Sequence, residues 1–399
     1  MHPLRLTYCG NVHAAGDLAA VAAMLRTSVA PIAAAARRAG RAFGLGGYWP
    51  AGLAAELAAD AGARDRLRGW LDEVGAPLWT LNVFPHDGFH DAVVKTGVYR
   101  PDWSTEERLV YTRQCAEVGA GLLAPGRELS LSTLPLGYRG PGEPEPDLRR
   151  MARNLARCAS AFAAIEERTG VRCVLALEPE PDCLLETVAA TASFLERWLF
   201  DEGAWTTVPE AVLRRHLGVC VDLCHLAVVG EEPLHALADL RRRSIEVPKI
   251  QVSACLELRA PEALDRLLAF AEPRYLHQTR SLQQAGSRQG TAEPGGPRAL
   301  DLPDVAARRA EFARGGIVRS HYHVPLFWDE SGPLGSTQRE VERVLRALVR
   351  GPDPLPLLEV ETYTWSVLGD FAGRAPLHEH LQRELDQVAA WLAVAPPAP

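Results

Sequence analysis

Short apolar runs alternate with longer stretches of helical periodicity along most of the chain. The runs fall at residues 4–9, 42–48, 77–84, 129–134, 171–178, 217–222, 248–255 and 355–361. Continuous apolar runs of this length are what parallel strands look like when both faces are buried. Between them, apolar residues recur at helical spacing over about 17–38, 51–74, 104–123, 147–168, 185–199, 208–216, 234–245 and 261–270, with a closing helix at 375–394. Pro31 is expected to kink or divide the first helix, since it lacks an amide hydrogen. Ser104-Thr105-Glu106-Glu107 carries a capping pattern, and Thr169-Gly170 a stop signal. One extra strand-like piece, 317–325, lies between the last two units. Repeated strand–helix alternation gives a parallel sheet with right-handed crossovers, and eight such units close as a barrel. No glycine-rich phosphate fingerprint points to an open dinucleotide-binding sheet instead. The expected architecture is one α/β domain over 1–399, a (β/α)8 TIM barrel. Residues 274–325 form an insertion or lid between strands seven and eight, with a mobile glycine- and glutamine-rich stretch at 281–297. The long polar and aromatic segment 85–103 is of the kind that lines a site.

Composition narrows the function classes. The chain has 399 residues, 47% of them hydrophobic, enough for a large core. A net charge of −7 is the wrong sign for a nucleic-acid protein, and no nucleic-acid partner is expected. Eight cysteines are scattered without secretory spacing, which fits reduced thiols and a cytoplasmic location. The N-terminal residues lack the pattern of a signal peptide, and no uninterrupted run of about 18 apolar residues suggests a membrane span.

The candidate chemistry sits at strand ends, where barrels place their active sites. Three apolar strands, remote in sequence, each end in a carboxylate: Glu178, Asp222 and Glu361. Asp222 could instead cap the following helix. Three carboxylates sharing one site invite a cation, because unpaired buried charge is costly. His321 and His323, two apart on the extra strand-like piece, project to one side and are candidate fourth ligands. An oxygen-rich site with one or two imidazoles suits one divalent ion, Mn²⁺, Mg²⁺, Co²⁺ or Zn²⁺. His225 has the alternative role of holding a substrate oxygen, and Gln251 is a polar candidate on strand seven. Glu180 and Glu186 are candidates for substrate hydroxyls, His13, His86, His90, Lys95 and His277 for the rim. Trp365 could stack on a sugar-like ring or simply pack in the core.

These residues also carry a resemblance. LEPEP at strand five, GVCVDLCH at strand six and EVET at strand eight resemble the xylose-isomerase-like TIM-barrel superfamily of sugar isomerases, epimerases and apurinic endonucleases. TLNVFPHDGFH, VKTGVYRPDW, STLPLGY, LEPEPDC, HYHVP and LEVETYTW, within about 80–366, are similar to its EboE-type metabolite-traffic branch. The resemblance implies one divalent cation on Glu178, Asp222 and Glu361. Strand seven departs from the epimerase pattern, with Gln251 where a histidine is expected, so His323 or His321 would substitute. It further implies a sugar or cyclitol isomerase or epimerase, with Glu178 and Glu361 transferring a proton through a metal-bound enediolate. The setting would be synthesis or export of a natural-product precursor, with partners encoded in the same cluster, including a prenyltransferase-like membrane protein. A non-catalytic metabolite-binding barrel is the alternative. An apurinic-endonuclease-like phosphodiesterase is disfavoured by the acidic balance.

Overall fold

All eight apolar runs become strands of one parallel sheet: β1 (Leu6–Tyr8), β2 (Leu45–Tyr48), β3 (Leu78–Asn82), β4 (Glu128–Thr133), β5 (Arg172–Leu177), β6 (Leu217–Asp222), β7 (Glu246–Val252) and, after a long excursion, the strand Leu357–Val360. The computed structural model describes residues 4–201, 207–284, 292–314, 316–328, 332–369 and 375–393. The excursion adds β8 (Ala254–Leu258), β9 (Thr279–Gln284), β10 (Ala292–Ala299), β11 (Ile317–Val324) and β12 (Leu334–Ser336), which makes Leu357–Val360 β13. The parallel sheet runs β1-β13-β7-β6-β5-β4-β3-β2. Its ends meet through a parallel bridge between Cys9 and Gly46. There the Thr7 hydroxyl donates to Gly44 O (2.6 Å) and accepts from Gly46 N (3.2 Å). A Cβ at Gly46 would overlap Tyr8 O and Glu359 Oε1, so only glycine lets this seam approach. The fold is a (β/α)8 TIM barrel with an insertion between its seventh and eighth strands.

The outer helices bury one face each. In Leu148–Thr169 the buried set includes Met151, Leu155, Cys158, Phe162 and Ile165, a stripe at three- and four-residue spacing; Asp147 caps the start and Gly170, in the left-handed region, ends it. Residues 18–38 stay helical through Pro31. A wider turn over Leu25–Val29 precedes Ala30–Arg38, which holds the proline in its first turn, where no amide is needed. This stretch is long and apolar enough to cross a membrane by composition. Here it buries Val21, Leu25, Val29 and Ile32 in the core. The expected helix at 51–74 is two, Ala51–Ala59 and Ala61–Val74, with Asp60 capping the second.

The excursion departs most from the sequence reading. What reads as one strand, 248–255, is two: β7 ends at Val252 and β8 starts at Ala254, with only Ser253 between. β8 belongs to a second, antiparallel sheet of order β10-β9-β11-β8-β12. Among the described residues of the stretch expected to be mobile, β9 and β10 pair antiparallel; 285–291 lie outside the described residues. Helix Gln338–Arg350 was not foreseen, although Val341, Val344 and Leu345 give it a buried stripe.

Candidate metal centre and active site

The barrel interior holds several buried polar side chains. Ser130 donates to Thr80 Oγ1 (2.9 Å), and Asn82 reaches from β3 across to Cys9 Sγ (3.3 Å). Lys249 on β7 donates to Glu359 on β13 at 2.7 Å, both side chains fully buried. Gln251 is level with Asp222 on one side and Glu359 on the other, and neither atom of its amide has a hydrogen-bond partner.

Glu178, Asp222 and Glu361 sit at this rim. One carboxylate oxygen from each comes within 4.8 Å of the others. Asp222 divides its two oxygens. Oδ1 caps helix Leu223–Val229 by accepting from His225 N (2.9 Å) and also accepts from Ser253 Oγ (2.8 Å), while Oδ2 is buried without a partner. The capping reading and the open-ligand geometry are therefore compatible, one on each oxygen. Glu178 Oε2 is equally buried and partnerless. Glu361 Oε1 accepts from Asn11 Nδ2 (2.7 Å) and Asn82 Nδ2 (3.2 Å).

Charge crowding sorts the three acids. Burial, reinforced by Glu361 and Asp222, holds Glu178 well above the ordinary carboxylate range. Burial, with Asp222 and Glu359 nearby, pushes Glu361 up to about 8. Burial also works to raise Asp222, but His225, His323 and two hydrogen bonds outweigh it and hold this acid below its usual value.

Histidines close the other side. His323 and His321 come from β11, where the pairing with β8 bulges between Ser320 and His323. His323 Nε2 is 3.9 Å from Asp222 Oδ2, and so is His225 Nε2. Burial lowers His323 to about 4 and drives His321 well below the usual imidazole range. Glu180 accepts from Tyr99 OH (2.7 Å) and lies 3.4 Å from His321 Nδ1; burial raises it.

A cavity opens over this group. Its floor is Glu178, Glu180, Glu361, His225, His321 and His323; its walls are largely apolar and aromatic, including Phe84, Phe89, Tyr99, Tyr275 and Tyr363. Segment 85–103 supplies much of the wall, as expected of it.

The remaining candidates scatter. Lys95 lines the cavity, but its ammonium is engaged by Glu272 O, Tyr275 O and Asp301 Oδ2 (2.9, 2.5 and 2.7 Å). His90 donates to Asn11 O (2.8 Å), steadying the residue that holds Glu361. His13 bonds Tyr8 OH (3.0 Å) and is lowered to about 4 by burial. His86 packs edge-on against Tyr111, beside Asp87 and Glu107. His277 bonds Glu272 and the carbonyl of His321, supporting β11 from behind. Glu186 pairs with Arg280 and Arg139. Trp365 donates to Glu384 (3.3 Å) and stacks on His380. None of His13, His86, His90, His277, Glu186, Gln251 and Trp365 is among the cavity-lining residues. Sequence reasoning missed Asn11, Asn82, Gln278 and the Lys249–Glu359 pair. Asn82 carried the same strand-end signal as the acids, in a strand read only for its apolar residues.

No protein-family model matches the chain, and no curated protein matches it in sequence. Solved structures do match in shape. A xylose isomerase-like TIM barrel protein from Mycobacterium smegmatis, in complex with magnesium, aligns over 98% of each chain at 12% identity and a TM-score of 0.50. The IOLI protein with a bound zinc atom aligns over 98% of each chain at 11% identity, TM-score 0.44. The 3-keto-D-glucoside 4-epimerase YcjR from E. coli covers 62% of this chain and 79% of its own, at 14% identity and TM-score 0.37. At these identities the likeness is one of fold, and the first of the three carries it: the chain has the architecture of a (β/α)8 TIM barrel.

Proposed function

We propose that this barrel is a divalent-metal-dependent isomerase or epimerase that moves a proton at a carbon of a small polyol, sugar or cyclitol. The observation that carries the reading is the meeting of Glu178, Asp222 and Glu361 at one rim, with Glu178 Oε2 and Asp222 Oδ2 buried and partnerless. Oxygen donors of this kind fit Mn²⁺, Mg²⁺, Co²⁺ or Zn²⁺. Glu178, Asp222 and Glu361 would hold the ion, and His323, whose Nε2 lies 3.9 Å from Asp222 Oδ2, would supply a fourth donor. Such an ion would polarise a substrate oxygen and acidify the neighbouring C–H bond.

The protein's own groups supply the rest. Asp222 is held in its charged form and anchors. Glu361 lines the cavity beside the proposed ion and suits removing and returning a proton there. Glu178, with a carboxylate oxygen within 4.8 Å of one on Glu361, is the second proton carrier. Asn11 and Asn82 fix the Glu361 carboxylate, so that little reorganisation accompanies transfer. Aromatic walls exclude water and pack on the C–H faces of a ring, and Glu180, His225 and His321 meet its hydroxyls. The insertion at 274–325 acts as a lid, since Tyr275, Leu276, His321 and His323 all line the cavity. The EboE-type resemblance supplies the setting for this reading, a natural-product precursor pathway with a prenyltransferase-like membrane partner.

The test is metal-dependent exchange of substrate hydrogen with solvent, measured across cyclitols and ketoses. Glu361→Gln is expected to slow exchange by roughly 10²–10⁴-fold. An unchanged rate removes Glu361 from the mechanism. Tight binding without exchange in the wild type favours the non-catalytic barrel.

A further inference from the structure

The cavity has two chemically different halves. Its floor offers acceptors. Asn11 Oδ1 and Glu178 Oε2 are buried without partners, and Glu180 and Glu361 add further carboxylate oxygens. Among the described lining residues Lys95 is the only lysine or arginine, and its ammonium is spent on Asp301 and two carbonyls. Hydroxyl groups, which donate, suit such a floor; a phosphate or carboxylate would meet like charge there with no free ammonium or guanidinium to answer it.

The other half is apolar. Phe84, Pro85, Phe89, Val94, Val98 and Leu276 line the cavity and carry no polar side-chain atom. Tyr99 lines it too, but its hydroxyl is taken up by Glu180 (2.7 Å) and Gln278 (2.8 Å), which leaves the ring to face the ligand. The wall is preformed: Val94 N and Lys95 N both donate to Arg274 O (2.8 Å each), so segment 84–98 and the insertion that bears Leu276 are tied together. A polyol filling the whole cavity would turn hydroxyls against this wall, where they lose water and gain no partner. We infer that the site takes an uncharged polyol or cyclitol carrying an apolar alkyl or aryl group, with its hydroxyls on the carboxylate floor and the apolar group against residues 84–98 and Leu276. The inference rests on the proposed function for the end of the ligand that reacts. It adds the substituent at the other end, and it excludes phosphorylated and carboxylated substrates.

The test is calorimetric binding of methyl and phenyl pyranosides of glucose, galactose, mannose and xylose to the full chain loaded with Mn²⁺, with phenyl glucuronide as the charged probe. The best-bound phenyl glycoside is expected to bind at least about tenfold more tightly than its methyl counterpart, and phenyl glucuronide at least about tenfold more weakly than phenyl glucoside. Val98→Asn and Leu276→Asn, on separate elements, should each bring the phenyl-to-methyl ratio toward one; a ratio cancels any loss of folded protein common to both probes. No phenyl preference in the wild type, no binding of any phenyl glycoside, glucuronide bound as tightly as glucoside, or a ratio unchanged in both variants overturns the inference. Should both variants fail to fold by circular dichroism, the wild-type comparisons decide. Metal-dependent hydrogen exchange on unsubstituted ketoses without phenyl preference overturns the inference and leaves the proposed function standing. Phenyl preference without exchange on any polyol upholds the inference and favours the non-catalytic barrel.

Discussion

Replacing Lys249 with methionine should cost about 3–5 kcal/mol of folding stability. The Lys249 ammonium and the Glu359 carboxylate are 2.7 Å apart, both fully buried, in a barrel interior that also holds Glu178, Asp222 and Glu361. Methionine fills a similar volume, so packing loss is small. What remains is Glu359 as an unpaired buried charge among like charges, with Oε1 already lacking a partner. Removing both partners together is different, because no uncompensated charge is left. Lys249→Met with Glu359→Leu should fall within about 1–2 kcal/mol of wild type, so the second change restores about 1–4 kcal/mol of what the first removes. The assay is urea unfolding followed by tryptophan fluorescence and circular dichroism, in excess chelator so that metal binding does not enter. A single variant within about 1 kcal/mol of wild type would refute the reasoning, as would a double variant no more stable than the single one.

Three further outcomes follow from the structure. Glu384, which accepts from Thr362 Oγ1, Leu326 N and Trp365 Nε1, is raised to about 7 by burial. A carboxyl raised on folding favours the folded state while protonated. That contribution is full below about pH 4.5 and lost as pH rises to about 7, about 3 kcal/mol in all. Unfolding free energies of wild type and Glu384→Gln, measured from pH 4.5 to 8, should therefore diverge by that slope; parallel curves would contradict it. Gly46→Ala should prevent the seam between β1 and β2 from closing and yield little folded protein, read by soluble expression and circular dichroism. Chelation should lower the melting temperature, and reloading with Mn²⁺ or Co²⁺ should restore it, by about 2.7 kcal/mol at a hundredfold excess over the dissociation constant.

The barrel was legible because its strands are short, apolar and separated by strong helical periodicity, a signal local to each segment. The acids were legible for the same reason, each closing an apolar run. The second sheet was not. β9 and β10 contain arginine, glutamine, glycine and proline and pair with each other across intervening chain, so neither shows the apolar run by which barrel strands are recognised. The split between β7 and β8 hides in an unbroken apolar pattern, since a change of sheet at Ser253 alters no residue type. Nor could spacing reveal that His225 would meet His321 and His323, because their contact depends on how β11 lies across the rim. Asn11, Asn82 and Gln278 escaped because amides at strand ends and in loops are common, and only a neighbour gives them a role.

The one-residue junction at Ser253 has a mechanical consequence. Its hydroxyl ties both the Asp222 carboxylate and the amide of Cys224, while its backbone carries the chain out of the barrel and into the accessory sheet. The two layers are welded beside the Glu178–Asp222–Glu361 cluster itself, with no slack in which one could drift from the other. Exchanging that sheet for another, by evolution or by engineering, would replace one wall of the cavity and disturb the Asp222 carboxylate in the same stroke.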